Sequence, residues 1–229
     1  SFIYNSFNNH GVIGLINMPS ARFYDESSFG ITIYDGTPDQ KITLTSFPYD
    51  WMEASVFYTN IQNKPYCQEA FDAVCEQDYK DKGFNFRFRL KEEGVLPAIA
   101  IGINDIAGTG YYGSEYIVGS YGVNRTDFHF GLGWGALNGS KNNIKNPLGS
   151  IYKGFYERPI LIADKGGQFQ PSRYFSDKSV SPFFGISQVV NEKLLLKLEY
   201  DTTLTPGKIN YAEPKRNISF GLNYNFNQN

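Results

Sequence analysis

The chain of 229 residues has no run of about 18 apolar residues, which excludes a transmembrane helix. It has no basic block, and its formal net charge is −2, which argues against nucleic acid as a partner. Its 2 histidines, His10 and His129, lie far from its 2 cysteines, so no zinc ligand set is formed. The glycine-rich stretches GINDIAGTG and FGLGWG precede no apparent helix, which argues against a nucleotide site. We therefore expect neither a metal nor a cofactor.

Cysteine is also scarce, and the two that occur are close in sequence, in PYCQEAFDAVC. This spacing suits a local disulfide between Cys67 and Cys75, which would indicate an oxidising compartment. The alternative is a pair of free thiols in a short helical turn. The start, SFIYNSFNNHG, lacks the charged and apolar regions of a signal peptide, so we expect either that none existed or that it has been removed.

Aromatic residues and glycine are abundant, with 17 Tyr, 19 Phe and 23 Gly, a composition typical of strands and tight turns. The stretch GFNFRFRLK (83–91) alternates strictly. One side of an extended chain would carry Phe84, Phe86, Phe88 and Leu90, and the other Asn85, Arg87, Arg89 and Lys91. Such alternation predicts a strand with one apolar face and one cationic face.

The same alternation recurs along the chain and predicts about ten to twelve strands in a single domain spanning 1–229. The clearest further stretches are 28–34, 40–47, 97–104, 126–136, 193–201 and 216–226. Segments without the pattern predict three long loops, at 60–82, 137–180 and 203–215.

Two all-β folds fit this alternation. An antiparallel transmembrane β-barrel would turn the apolar faces toward lipid and the polar faces toward the lumen. A soluble β-sandwich would bury the apolar faces and therefore bury Phe84, Phe86 and Phe88 in protein. The strongest strands run about nine to eleven residues, the length that crosses a bilayer when tilted, which favours the barrel.

Several stretches also resemble a known family in their order and spacing. They are GVIGLINMPSARFYDESSFGI, YKDKGFNFRFRLKEEGVLPAIAIGINDIAGTGYYGSEYIVGSY, TDFHFGLGWGALNG, FFGISQVVNEKLLLKLEYD and NISFGLNYNF. Together they cover most of the chain and resemble the YjbH-type, or GfcD-like, proteins of exopolysaccharide and capsule operons. The resemblance implies a bacterial outer-membrane β-barrel with a role in export or surface assembly of a polysaccharide.

The charged strand residues are the candidate site of this predicted barrel. The residues expected to line the lumen or contact a ligand are Arg87, Arg89, Lys91, Asp127, His129, Lys197, Glu199 and Asp201. Guanidinium groups can bind the carboxylates of acidic sugars bidentately. Glu199 with Asp201, or Asp127 with His129, could instead serve a hydrolase or lyase, but we expect such charges to pair across strands.

The alternation predicts a non-enzymatic barrel that contacts lipid, and the resemblance implies an outer-membrane location, with polysaccharide and other envelope or export proteins as candidate partners. The first alternative is a soluble or surface-attached β-sandwich that binds carbohydrate. The second is a scaffold subunit of an envelope complex, because a barrel of about twelve strands has a lumen that side chains can fill.

Overall fold

A computed structural model describes residues 5–66, 77–160, 167–204 and 217–226. These residues form an all-β antiparallel fold with eleven strands, within the predicted range. In chain order the strands are β1 (Phe29–Asp35), β2 (Asp39–Tyr49), β3 (Met52–Tyr66), β4 (Gln77–Lys91), β5 (Ala98–Ile106), β6 (Ser114–Val123), β7 (Thr126–Gly135), β8 (Ile144–Lys145), β9 (Ser179–Val189), β10 (Leu194–Tyr200) and β11 (Ile218–Tyr224). Within these described ranges no helix is both long and apolar enough to cross a membrane.

The strands form one sheet in which neighbours along the chain are neighbours in space. Its order is β1-β2-β3-β4-β5-β6-β7-β9-β10-β11, and the short β8 pairs with β9. Every pairing is antiparallel. In the described part of the chain no backbone ladder joins β1 to β11, so the predicted closure of a barrel by hydrogen bonds is absent there.

The two ends of the sheet differ in the length of their connections. At the end that we call the short-turn end, the strands are joined by 50–51, 92–97, 124–125 and 190–193. One of the two-residue turns, 124–125, has Asn124 at a φ of 56°, a left-handed conformation that asparagine tolerates and a two-residue hairpin favours. At the opposite end, which we call the long-loop end, the connections are 36–38, 107–113 and the long excursion between β7 and β9.

The long loops differ in extent from those predicted. In the segment 60–82, β3 continues to Tyr66, past a register irregularity between Ile61 and Pro65. β4 begins at Gln77, and its buried and exposed side chains alternate from Tyr79 onward. The segment 137–180 contains β8, the start of β9 and three short 3₁₀ turns, at Pro147–Ser150, Lys153–Tyr156 and Pro171–Arg173. Most of 203–215 lies outside the described residues, as do Cys67 and Cys75, so their disulfide stays a prediction.

The two faces of the sheet have the polarity that the alternation favours for a barrel. Strand β4 is representative of this arrangement. Phe84 on one face is 47% exposed, whereas Arg87 on the opposite face is 1% exposed. Phe86 and Phe88 are half-buried, and no second sheet covers them in the described ranges. A sandwich that buries these three phenylalanines would have the reverse arrangement.

The N-terminal segment, residues 5–25, lies against the polar face, and we call it the plug. It contributes Ile13, Leu15 and Met18 to the main buried cluster, together with Phe47 and Tyr116 from the strands. Two isolated bridges, Phe7 to Ile13 and Gly14 to Pro19, hold it in compact loops.

The sheet curls around this plug. The plug contacts β1 at Gly30, β2 at Thr45, β4 at Arg87, β6 at Ser120, β9 at Gly185 and β11 at Gly221. A flat sheet of ten neighbouring strands would be roughly 43 Å wide, at about 4.8 Å per strand. A compact segment of this length reaches both edge strands because the sheet curves to enclose it.

Candidate functional site

Arg87 is among the most buried charges on the inner face, and its side chain binds the backbone of the plug. Its guanidinium donates to the carbonyl oxygens of Ile13, at 3.1 Å, Ser20 and Arg22, and to the carboxylate of Glu53 on β3. The ring of Phe23 lies under the guanidinium, 4.3 Å from its central carbon. Arg87 and Glu53 are each 1% exposed, so the pair is screened from water and neither charge can be lost without leaving the other unpaired.

The acidic end of β10 binds a second part of the plug. The Glu199 carboxylate accepts hydrogen bonds from the backbone N–H groups of Ile16, Asn17 and Met18, at 2.9, 2.9 and 3.1 Å. Three successive N–H groups around one carboxylate form a concave anion site. On the same strand Lys197 donates to the Leu15 carbonyl oxygen at 2.7 Å. Side chains of one strand therefore satisfy both the N–H donors and a carbonyl acceptor of this plug turn.

Asp201 and the next residues complete that contact. The Asn17 side-chain amide donates to Asp201 Oδ2 at 2.6 Å. Asp201 also accepts from the Thr203 backbone N–H at 2.8 Å, which orders the start of the following loop. The pair Glu199 and Asp201, a candidate for carboxylate chemistry, thus shares the task of holding one turn.

A third contact joins the plug to β7. Arg22 donates to both Asp127 oxygens, at 2.8 and 2.7 Å, and also to Glu93 in the turn after β4. Burial lowers the pKa of Arg22, but hydrogen bonds and charge from Asp127 and Glu93 outweigh it and raise the pKa overall. The bidentate geometry fixes the guanidinium plane as well as its charge.

His129 lies beside Asp127 and connects β6 to β9. Its Nδ1 is 2.7 Å from Ser120 Oγ, and its Nε2 is 3.1 Å from Ser187 Oγ and 3.5 Å from an Asp127 oxygen. Ser120 Oγ also accepts from the Ala21 backbone N–H at 2.8 Å. The predicted Asp127–His129 pair is therefore brought together, as part of the plug support.

Arg89 and Lys91 lie apart from these contacts, at the short-turn end of β4. Arg89 is one strand step beyond Arg87 on the same face, where it pairs with Glu92 at 3.1 Å and stacks 4.9 Å from the Phe23 ring. Lys91 is exposed at the end of the strand, after a register irregularity between β4 and β5. The cationic row predicted from GFNFRFRLK thus divides into a buried plug anchor and two residues near solvent.

A second polar cluster, around Lys41 on β2, was not predicted from the sequence. The Lys41 ammonium is buried, 3.1 Å from His10 Nδ1 and 3.7 Å from the centre of the Tyr112 ring. The Tyr112 hydroxyl donates to Asp39 at 2.7 Å. Burial, and then the charge of Lys41, lowers the pKa of His10 well below its usual value. The alternation in QKITLTSF placed Lys41 on a polar face, but no local signal indicated its partners.

The inner face also has glycines where the plug approaches closely. A Cβ on Gly185 would lie 2.3 Å from Leu15 Cδ1, and a Cβ on Gly221 would lie 2.8 Å from Ile16 Cγ1. Glycine in these strands therefore makes room for the plug. Within the described ranges, no group of three or more His, Cys, Asp or Glu side chains could hold a metal ion.

Comparison with known proteins agrees with the resemblance seen in the sequence. A family model described as exopolysaccharide biosynthesis protein YbjH matches residues 6–229. The chain is 35% identical over 199 residues to the uncharacterized lipoprotein YjbH of Escherichia coli strain K12; the match covers 86% of this chain and 28% of that protein. The chain thus spans about 28% of the length of this relative, and no solved structure matches it. The chain belongs to the YjbH family of exopolysaccharide biosynthesis proteins.

Proposed function

We propose that this chain is a plugged outer-membrane β-barrel domain with a non-enzymatic role in exopolysaccharide export or surface assembly. The observation that carries the proposal is the inverted polarity of the sheet. Its outer face exposes large apolar side chains on β1–β4, β7 and β9–β11, whereas its inner face buries Lys41, Arg87, Asp127, Lys197 and Glu199. Lipid is the solvent that makes such an arrangement favourable, because the apolar row is then solvated by hydrocarbon.

The position of the polar residues on the outer face supports a membrane-spanning belt. On β4 the outward residues change from Phe84, Phe86 and Phe88 to Lys82 and Lys80 toward the long-loop end. At the short-turn end the exposed rings of Tyr49 and Trp51 stack with centroids 5.2 Å apart. Aromatic rings concentrate at membrane–water interfaces, so we place one interface at these rings and the other near Lys82.

The lengths of the connections suggest the orientation. Bacterial outer-membrane barrels have short periplasmic turns and longer extracellular loops. By this rule the short-turn end faces the periplasm and the excursion 136–178 faces the cell exterior. The relative in Escherichia coli is named a lipoprotein, which supports a location in the cell envelope.

The plug defines what this domain does in the described conformation. In the described part of the chain Arg87, Asp127, Lys197, Glu199 and Asp201 all bind the plug, so these side chains are engaged and do not line a channel for a polysaccharide. A scaffold role in an export complex therefore agrees with the described state, and conduction would require the plug to move. Engagement of these carboxylates by the plug also supports a non-enzymatic role.

The membrane assignment is tested with two substitutions on the outer face of β4. Phe84→Arg introduces a charge into the apolar belt, where arginine costs about 2–4 kcal/mol at the bilayer midplane and less toward an interface. Lys82→Arg, two residues away on the same face, keeps an existing charge outside the belt and is the control. We expect wild-type protein and Lys82→Arg to fractionate with outer membranes and to migrate differently in SDS gels before and after boiling. Phe84→Arg should have a smaller inserted fraction than both.

If this exposed face of the sheet met water instead of lipid, arginine at position 84 would change stability by less than about 0.5 kcal/mol. Phe84→Arg protein that remains folded without detergent, with wild-type protein also soluble, would contradict the membrane assignment. The export role is tested separately, by measuring surface polysaccharide in cells that lack the endogenous protein and are complemented with it. Inserted protein that restores no surface polysaccharide would overturn the export role alone. A shortened polysaccharide after incubation with purified protein would overturn the non-enzymatic role.

A further inference from the structure

A polar basin opens at the short-turn end, between the plug and the end of β4. Its volume is about 340 Å³, within the range of small-molecule sites, and it is wide open to solvent. The polar and aromatic side chains that line it are Asn5, Arg22, Phe23, Arg89, Glu92 and Glu93. The contacts that hold the plug and the apolar outer face do not assign a role to this basin.

The two arginines of the basin are engaged very differently. Arg22 holds both Asp127 oxygens and Glu93, so its Nε and Nη2 donors are committed and two carboxylates balance its charge. Glu93 in turn accepts from the Gly122 backbone N–H at 3.1 Å, which fixes this wall of the basin. Arg89 pairs with Glu92, whose side chain is 74% exposed. Exposed pairs of this kind contribute little, so an incoming anion can displace Glu92.

The supports of Arg89 hold its guanidinium in place for such an exchange. The Phe23 ring stacks 4.9 Å from its central carbon, and Arg87 occupies the other nearby position over that ring. The Phe23 carbonyl oxygen accepts from the Asn5 side-chain amide at 2.8 Å, and Asn5 O accepts from the Tyr24 hydroxyl at 2.9 Å. The plug therefore builds one wall of the basin and β4 builds the other.

We infer that this basin binds the carboxylate of an acidic saccharide, with Arg89 exchanging Glu92 for the sugar carboxylate. The fork of a guanidinium matches a carboxylate bidentately, and the rim carboxylates can accept hydrogen bonds from ring hydroxyls. This inference rests on the proposed function, which places the basin at the periplasmic mouth of an export component. A phosphate group would fit the same fork, so the experiment distinguishes the two anions.

The experiment uses the full chain, folded in detergent, with methyl glucuronide, methyl glucoside and inorganic phosphate as probes, and ligand-observed NMR as the readout. We expect the glucuronide to bind and the neutral glucoside to bind far more weakly. Arg89→Gln should weaken glucuronide binding by about tenfold or more, because it removes a charge-assisted contact. Glu92→Gln should tighten binding by roughly two- to fivefold, since it removes the competing carboxylate.

The matched control is Arg125→Gln, in the neighbouring turn at the same end, where the arginine donates to the Val190 carbonyl oxygen. This variant should bind the glucuronide like the wild type. Equal binding by Arg89→Gln and wild type, or weaker binding by Glu92→Gln, would overturn the inference. Saturation by phosphate without saturation by glucuronide would assign the fork to phosphate and refute the saccharide. Inserted wild-type protein that restores surface polysaccharide but binds no glucuronide refutes this inference and leaves the proposed function intact.

Discussion

Removing the Arg87 guanidinium should destabilise this protein more than removing any other single charge of β4. Arg87→Met keeps much of the side-chain volume but leaves the Glu53 carboxylate buried without its cation, with three plug carbonyls losing a donor. Breaking a buried ion pair from one side costs about 3–5 kcal/mol. A domain has only about 5–15 kcal/mol of total stability, so a loss of this size is readily measured.

Arg89→Met is the matched control, because Arg89 lies on the same face of the same strand two residues further on. Its partner Glu92 is exposed, and exposed pairs contribute about 0–1 kcal/mol. Urea unfolding in detergent micelles, followed by the fluorescence of Trp51 and Trp134, gives both free energies of unfolding. We expect the first variant to lose at least about 2 kcal/mol more than the second.

A double variant identifies the source of the loss. Adding Glu53→Gln to Arg87→Met removes the uncompensated carboxylate, and it should recover part of the stability while the plug carbonyls stay without their donor. Proteolysis should also cut the plug faster in Arg87→Met, because the plug loses three anchoring bonds. If Arg87→Met unfolds at the same urea concentration as Arg89→Met, the buried pair does not stabilise the plugged state, and the reasoning is refuted.

Three further perturbations test the plug contacts. Glu199→Gln keeps the shape but removes the charge that accepts three N–H groups, so hydrogen exchange of that plug turn should accelerate at least about tenfold; unchanged exchange would contradict the anchoring. Gly185→Ala should cost about 1–3 kcal/mol, since its Cβ meets the plug, whereas Gly94→Ala, with open space around it, should cost nothing measurable; equal unfolding free energies would argue against close packing. Because burial lowers the pKa of His10 below the unfolded value of about 6.5, its stabilisation is complete above that pH and is lost as the pH falls below it. His10→Gln should therefore flatten the decrease in unfolding temperature between pH 7 and pH 5, and an identical slope in both proteins would refute this assignment.

Local sequence was sufficient to predict the strands and the partition of their side chains. The period of two in GFNFRFRLK correctly placed Phe84 and Arg87 on opposite faces, because successive side chains of a strand must alternate. The antiparallel all-β class and the number of strands follow from the same rule. The limits of the strands were less well predicted: β3 and β4 both extend further than expected. In β4 the added part consists mostly of polar residues, whose side chains still alternate between the two faces.

Only the tertiary structure reveals what the charged face binds. MPSAR, which contains Arg22, has no periodic pattern that would place it inside a curled sheet. The sequence also does not show that backbone carbonyl oxygens of this segment accept hydrogen bonds from a distant arginine. The bonds from Glu199 to the plug join residues more than 180 positions apart, and Arg87 reaches across 74 positions to Ile13. The sequence by itself determined which side chains share a face, since that depends on neighbours along one strand. Their partners were decided by the curling of the sheet, which brings distant backbone groups to the charges that must be satisfied once water is excluded.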